Sequence, residues 1–174
     1  MTIHFGDSTS IATATGLGAN LVNAAFTSST APNSYSNITE GSFTSNVLSI
    51  SYAAASSSNK LLMIAQITMG VDSSSGLAAR FVINGSPPSG AIADAHGSAK
   101  RTTAMETQKY NSNNTTINLQ YVHTSLSTSA VTYGIQLAHM DNNNRSLFLN
   151  QSNDSYTNAW HGRAMSHFLL LEFK

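Results

Sequence analysis

The sequence predicts an all-β protein, one antiparallel β-sandwich or barrel of about ten short strands that takes in residues 1–174 as a single domain. Three observations predict it. Apolar side chains recur at every second position in one segment after another, which is the period of a pleated strand. The breaks between these segments carry Gly, Asn, Asp, Ser and Pro, the residues of turns. The composition disfavours helices: there are 27 Ser, 18 Thr and 17 Asn among 174 residues, and only 9% of positions are charged. Ser, Thr and Asn compete with helical hydrogen bonds, and the good surface helix formers Glu, Lys and Arg are scarce.

The strands follow in order. Leu48, Ile50 and Tyr52 alternate with Ser49 and Ser51. Residues 60–69 are almost continuously apolar, so this strand is expected to be buried on both faces. Ile117, Leu119 and Tyr121 alternate with Asn118 and Gln120, and Val131, Tyr133, Ile135 and Leu137 alternate with smaller or polar neighbours. In the last segment Met165, His167, Leu169, Leu171 and Phe173 share one face, while Phe168 and Leu170 lie on the other. Weaker strand patterns cover residues 3–5, 20–26, 79–83, 102–108 and 146–149. Residues 53–59 read as a small-residue loop and 72–76 as a turn. Asn84-Gly85 is a strong turn dipeptide, followed by Ser86-Pro87-Pro88-Ser89-Gly90. Residues 111–114, 141–144 and 151–158 read as connections, and the Ser/Thr/Pro-rich stretch 27–37 as a long loop. No internal repeat is evident.

Charge and composition exclude several functions. The formal net charge is zero, with eight basic and eight acidic residues, so the chain lacks the basic footprint of a nucleic-acid binder. No apolar run approaches the ~20 residues that cross a bilayer as a helix, so no membrane insertion is expected. The N-terminal residues have neither the basic nor the apolar region of a secretory signal. There is no cysteine, hence no disulfide and no thiolate metal site. A nearly uncharged surface resists self-association poorly, which suits a protein living inside an assembly.

No constellation points to a reaction class, and the expectation is a non-enzymatic protein without cofactor or metal. The eight acids, Asp7, Glu40, Asp72, Asp94, Glu106, Asp141, Asp154 and Glu172, mostly sit in or beside predicted turns, where capping is their ordinary role. The six histidines, His4, His96, His123, His139, His161 and His167, show no metalloprotease spacing and are read as structural. Gly16-Leu17-Gly18 lacks the strand–helix setting of a nucleotide loop, and no Gly-x-Ser-x-Gly elbow occurs. The candidate ligand contacts are Trp160, Tyr156 and Tyr35, aromatics in predicted loops that could stack on a sugar ring. Packing against a neighbouring strand or subunit is the preferred reading of all three.

The C-terminus carries the assembly argument. Termini are usually polar and frayed, yet Phe168, Leu169, Leu170, Leu171 and Phe173 crowd the end of this chain. In a monomer a central strand of the sandwich would bury them. In a homotrimer the same strand could lie near the three-fold axis, one face to its own core and one to its neighbours. A homotrimer with these five residues at its interface is the expectation.

Four segments are similar to a known family. Ile3-His4-Phe5-Gly6-Asp7-Ser8-Thr9-Ser10 resembles its opening I-x-F-x-D-G-T-S. Ser56-Ser57-Ser58-Asn59-Lys60-Leu61-Leu62-Met63 resembles S-S-S-K-I-L-V. Ser129-Ala130-Val131-Thr132-Tyr133-Gly134-Ile135-Gln136 resembles S-A-V-T-Y-x-V-Q. Leu169-Leu170-Leu171-Glu172-Phe173 resembles the terminal I-T-L-M-E-I. The family is a β-structured surface domain of tailed-bacteriophage virion proteins, frequent in marine and cyanobacterial phages. The segments keep their order along almost the whole chain, and the likeness lapses over residues 70–114 except for Leu77 to Arg80. The resemblance implies a jelly-roll-like trimeric module at the virion surface, made in the host cytoplasm. It brings no catalytic or metal residue with it. The implied role is a capsid decoration or cement protein, since a domain starting at residue 3 leaves no room for a fibre stalk. Its partners would be itself, and the major capsid protein or tail proteins. The alternative is a receptor-binding knob of a tail fibre that touches host surface glycans.

Overall fold

The computed structural model describes residues 3–4, 10–11, 20–108, 113–153 and 162–174. Among them lie twelve strands: β1 (Ile3–His4), β2 (Ser10–Ile11), β3 (Leu21–Ser29), β4 (Asn33–Ile38), β5 (Leu48–Tyr52), β6 (Lys60–Val71), β7 (Ser75–Ile83), β8 (Ala104–Gln108), β9 (Thr115–His123), β10 (Val131–His139), β11 (Arg145–Leu149) and β12 (Ser166–Phe173). A 3-10 turn occupies Ser89–Ala91. The fold is all-β, as the periodicity predicts. No helix among the described residues is long and apolar enough to cross a membrane. Among the described residues β1 and β2 pair with each other, and the strand pairings are all antiparallel.

The ten remaining strands form two sheets. Sheet two has the order β5-β10-β7-β8. Sheet one is built around β6, with β9 along one edge and β12 followed by β11 along the other. Thr68 shows that β11 and β12 share an edge: its N–H donates to Ser166 Oγ and its carbonyl accepts from Asn150 N–H. A strand residue points both groups to one side. β3 pairs with β12 and β4 with β11, so β3 and β4 also lie end to end, interrupted only at residues 30–32.

The two sheets close over one apolar core. From sheet one come Leu61, Met63, Ile67, Phe168 and Leu170; from sheet two come Leu77, Phe81, Tyr133, Ile135 and Leu137. Phe81 and Phe168 meet across the sheets with ring centroids 5.7 Å apart. The alternation of β5, with Leu48, Ile50 and Tyr52 buried and both serines exposed, is the sequence pattern made physical.

Several boundaries differ from the sequence reading. The stretch 27–37 is not a long loop: β3 runs on to Ser29, and β4 takes up Asn33–Ile38. Tyr35 is accordingly a strand residue. The turn at 72–76 is narrower, since Ser75 and Gly76 already pair in β7. Met165 lies outside β12 and is exposed. Asn84 and Gly85 have φ of 49° and 82°, and Ile83 and Ser86 exchange both backbone hydrogen bonds across them. Two positive φ angles in a two-residue connection are what Asn-Gly accommodates at least cost.

Gly70 in β6 marks a close approach. A Cβ there would lie 2.9 Å from the Gln151 carbonyl oxygen and 3.1 Å from Ser152 Cα. Both are backbone atoms and cannot swing aside. Gly70→Ala is expected to destabilise by about 2 kcal/mol through overpacking, measured as a shift of the urea midpoint with an unchanged slope.

Candidate interaction face and buried polar centres

The C-terminal strand separates its side chains cleanly. Phe168 and Leu170 are fully buried in the core with Ser166 and Glu172, while Leu169, Leu171 and Phe173 are half-buried on the outer face of sheet one. Of the five residues expected at an interface, two therefore hold the sandwich together and three look outward. Register sets their neighbours. Leu169 stands between Phe26 and Ile64, and Leu171 between Ala24 and Leu62. Leu62 in turn faces Val122. Phe26 is 61% and Val122 49% exposed, so the outer face of this sheet carries a contiguous apolar patch across four strands. Its upper rim is His167, whose ring stacks on Phe26 at 6.3 Å.

Opposite this patch, on the core side of the same strand, lies a buried carboxylate. Glu172 is fully buried. Its Oε2 accepts from the Tyr52 hydroxyl at 2.5 Å, and its Oε1 accepts from Asn59 Nδ2 at 2.6 Å and Ala55 N–H at 2.9 Å. A longer bond comes from Ser56 N–H at 3.4 Å. Burial pushes the carboxyl up, but these donors outweigh it and hold Glu172 below the usual carboxylate range. Burial first, and then the neighbouring carboxylate, pushes the Tyr52 phenol far above its ordinary value. Every donor but Tyr52 belongs to the loop at 53–59. Chemically, Glu172 fastens that loop to the last strand.

The far end of the sandwich holds a second polar group. Asp141 Oδ2 accepts from Arg145 Nη2 at 2.7 Å and from Ser73 Oγ at 3.0 Å. The Arg145 hydrogen bond is the main reason its carboxyl lies below the ordinary value. His139 is fully buried; its Nε2 lies 2.7 Å from the Ile38 carbonyl oxygen, and its Nδ1 accepts from Asp141 N–H. With Nδ1 accepting, Nε2 is the ring nitrogen that donates to the Ile38 carbonyl. On the outer side of sheet two, Arg80 donates twice to Gln136 Oε1 and lies 3.6 Å from the centre of the Phe43 ring.

No family model matches this chain. No curated protein matches it.

Among the described residues no three His, Asp or Glu side chains gather to hold a metal ion. Of the aromatics considered for sugar contact, Trp160 and Tyr156 lie outside the described residues. Tyr35 packs against the core from β4, and its hydroxyl accepts from Asn33 Nδ2 at 3.1 Å. The structure thus brings the C-terminal residues together with Phe26, Leu62, Ile64 and Val122, and it leaves Tyr35 apart from them. Sequence reasoning missed the Glu172 centre, although the signal was there: Glu172 is in phase with Phe168 and Leu170, and a residue in that phase faces the core.

Proposed function

We propose that this protein is a non-enzymatic structural protein of a tailed-bacteriophage virion, displayed on the particle surface as a trimeric capsid decoration or cement protein. The observation that carries the reading is strand order. The long strands number eight when β3 with β4, and β11 with β12, are each counted once. Sheet one then runs first, eighth, third, sixth, and sheet two runs second, seventh, fourth, fifth. That interleaving supports reading the sandwich as the double Greek key of a jelly roll, an architecture that recurs in viral capsid and lectin domains. It agrees with the four ordered segments that resemble the phage surface domain. A formally neutral chain with 9% charged residues also fits broad contacts inside an assembly.

The lectin use of the same topology favours one alternative, a receptor-binding knob that holds host glycans through Trp160 and Tyr156. Copy number separates the two. Quantitative mass spectrometry of purified particles against the major capsid protein is expected to find hundreds of copies per particle. A few to a few dozen would transfer the proposal to the tail, and absence from particles would overturn both readings.

A further inference from the structure

We infer that the outer face of sheet one docks a second copy of this chain, through the patch formed by Phe26, Leu62, Ile64, Val122, Leu169 and Leu171. The inference rests on the trimeric reading above and assigns it a surface.

The patch is contiguous because the register aligns it. Phe26, Leu169 and Ile64 make one row across three strands, and Leu171, Leu62 and Val122 make the next. Single exposed apolar residues are ordinary, but a connected patch of this kind marks a contact surface. β12 runs through its middle, so the half-buried Leu169 and Leu171 occupy the centre, where contacts are most desolvated.

Charge identifies the occupant. The flanking positions of the face are Ser28, His167, Gln66, Asn118 and Gln120, none of them Asp, Glu, Lys or Arg, and Lys60 stands only at its end. No Asp, Glu, Lys or Arg occurs between Asp7 and Glu40, the stretch that supplies β3 and β4 at the sheet's edge. A charged partner surface would lose hydration here and gain no ion pair. A second copy brings a surface that is equally apolar and equally uncharged, and so meets neither cost nor repulsion. Sheet two offers no such face: Arg80 and Gln136 occupy it, with Phe43 laid over them.

The test is sedimentation equilibrium of the full chain and of two single variants, Phe26→Glu and Val122→Glu. Both side chains are about half exposed or more, so neither carries much of the core, and thermal melts establish that the variants fold. Phe26→Ser serves as a neutral companion should the charged variants melt early. Thr132→Glu, at an exposed position of sheet two, is the control. The expected result is a wild-type and control oligomer, with association of the patch variants weakened at least 100-fold. Oligomeric patch variants would overturn this docking face and leave the trimer standing. A monomeric wild type at 100 µM would overturn both. A wild-type dimer dissolved by the patch variants would uphold the face and remove the three-fold reading. A monomer in which the Leu169 and Leu171 side-chain methyls and the Phe26 ring are shielded from solvent would mean that the chain covers this face itself, and would overturn the inference.

Discussion

Replacing Asn150 with alanine is expected to destabilise the fold by about 3 kcal/mol, more than most single substitutions at a polar position. Asn150 sits where two pairs of strands meet end to end. Its Nδ2 donates to the carbonyls of Ser29 and Ala31, at the gap between β3 and β4. Its Oδ1 accepts from Ser166 Oγ at 2.6 Å, at the start of β12, and its own N–H donates to Thr68 in β6. The residue is fully buried and has φ of 62°. Alanine would lose the side-chain bonds, leave partly buried acceptors unpaired at about 1–3 kcal/mol each, and take a left-handed conformation that costs it about 1–2 kcal/mol. Two further variants separate these causes. Asn150→Gly removes the conformational cost and is expected to recover about 1 kcal/mol relative to alanine. Asn150→Asp keeps the shape and tolerates the backbone, but it turns a donor into an acceptor facing two carbonyls, and is expected to be at least as damaging as alanine. Denaturant midpoints of the three variants check the order. An aspartate close to wild type would mean that the bonds to Ser29 and Ala31 contribute little.

The same junction explains what the sequence concealed. Strict alternation made β5 and β9 legible, because each buries one face and exposes the other; β10 alternates in sequence as well, although Gly134 and Ala138 on its second face are buried too. β4 has only Tyr35 and Ile38 as apolar residues, three apart, which no strand period predicts. A register shift opposite Arg145 and Leu147 restores both to the core side. A bulge is a tertiary feature, and a period-two search passes over it. Residues 60–69 are expected to be buried on both faces; in the single chain residues 67–69 are, but over residues 60–66 and in the last strand only the core face is closed. Leu62, Ile64, Leu169 and Leu171 remain half-buried. Apolar content reveals that a face wants covering, but not whether its own chain or another covers it. The polar centres were illegible for a different reason. Asn150, His139 and Glu172 gain their roles from partners 100 or more residues away, and such pairings are fixed by the topology rather than by local spacing.

Glu172 supplies the second large effect, and its sign follows from the direction of its shift. The carboxyl is held below its ordinary value in the folded protein because Tyr52, Asn59 and the Ala55 and Ser56 amides favour the charged form over the penalty of burial. A group depressed on folding contributes stability that is complete above its unfolded pKa, roughly 4.3 for Glu, and is lost as pH falls through the lower folded value. The contribution of Glu172 to thermal stability should therefore be flat from neutral pH to about pH 5 and fall below that. Glu172→Gln is expected to lower stability at pH 7 by about 2–3 kcal/mol, since hydrogen bonds to a charged acceptor are the stronger ones and the new amide turns a donor toward donors. Its acid decline should be shallower than that of the wild type, because this titration is gone. The loop at 53–59 gives an independent readout. Its Ala55 amide should be protected from hydrogen exchange in the wild type and exchange faster in the variant, while amides in the middle of β10 keep their protection relative to global unfolding. Equal acid slopes for the two proteins would show that Glu172 does not carry the pH dependence. Unchanged exchange at Ala55 would show that the carboxylate does not hold the loop.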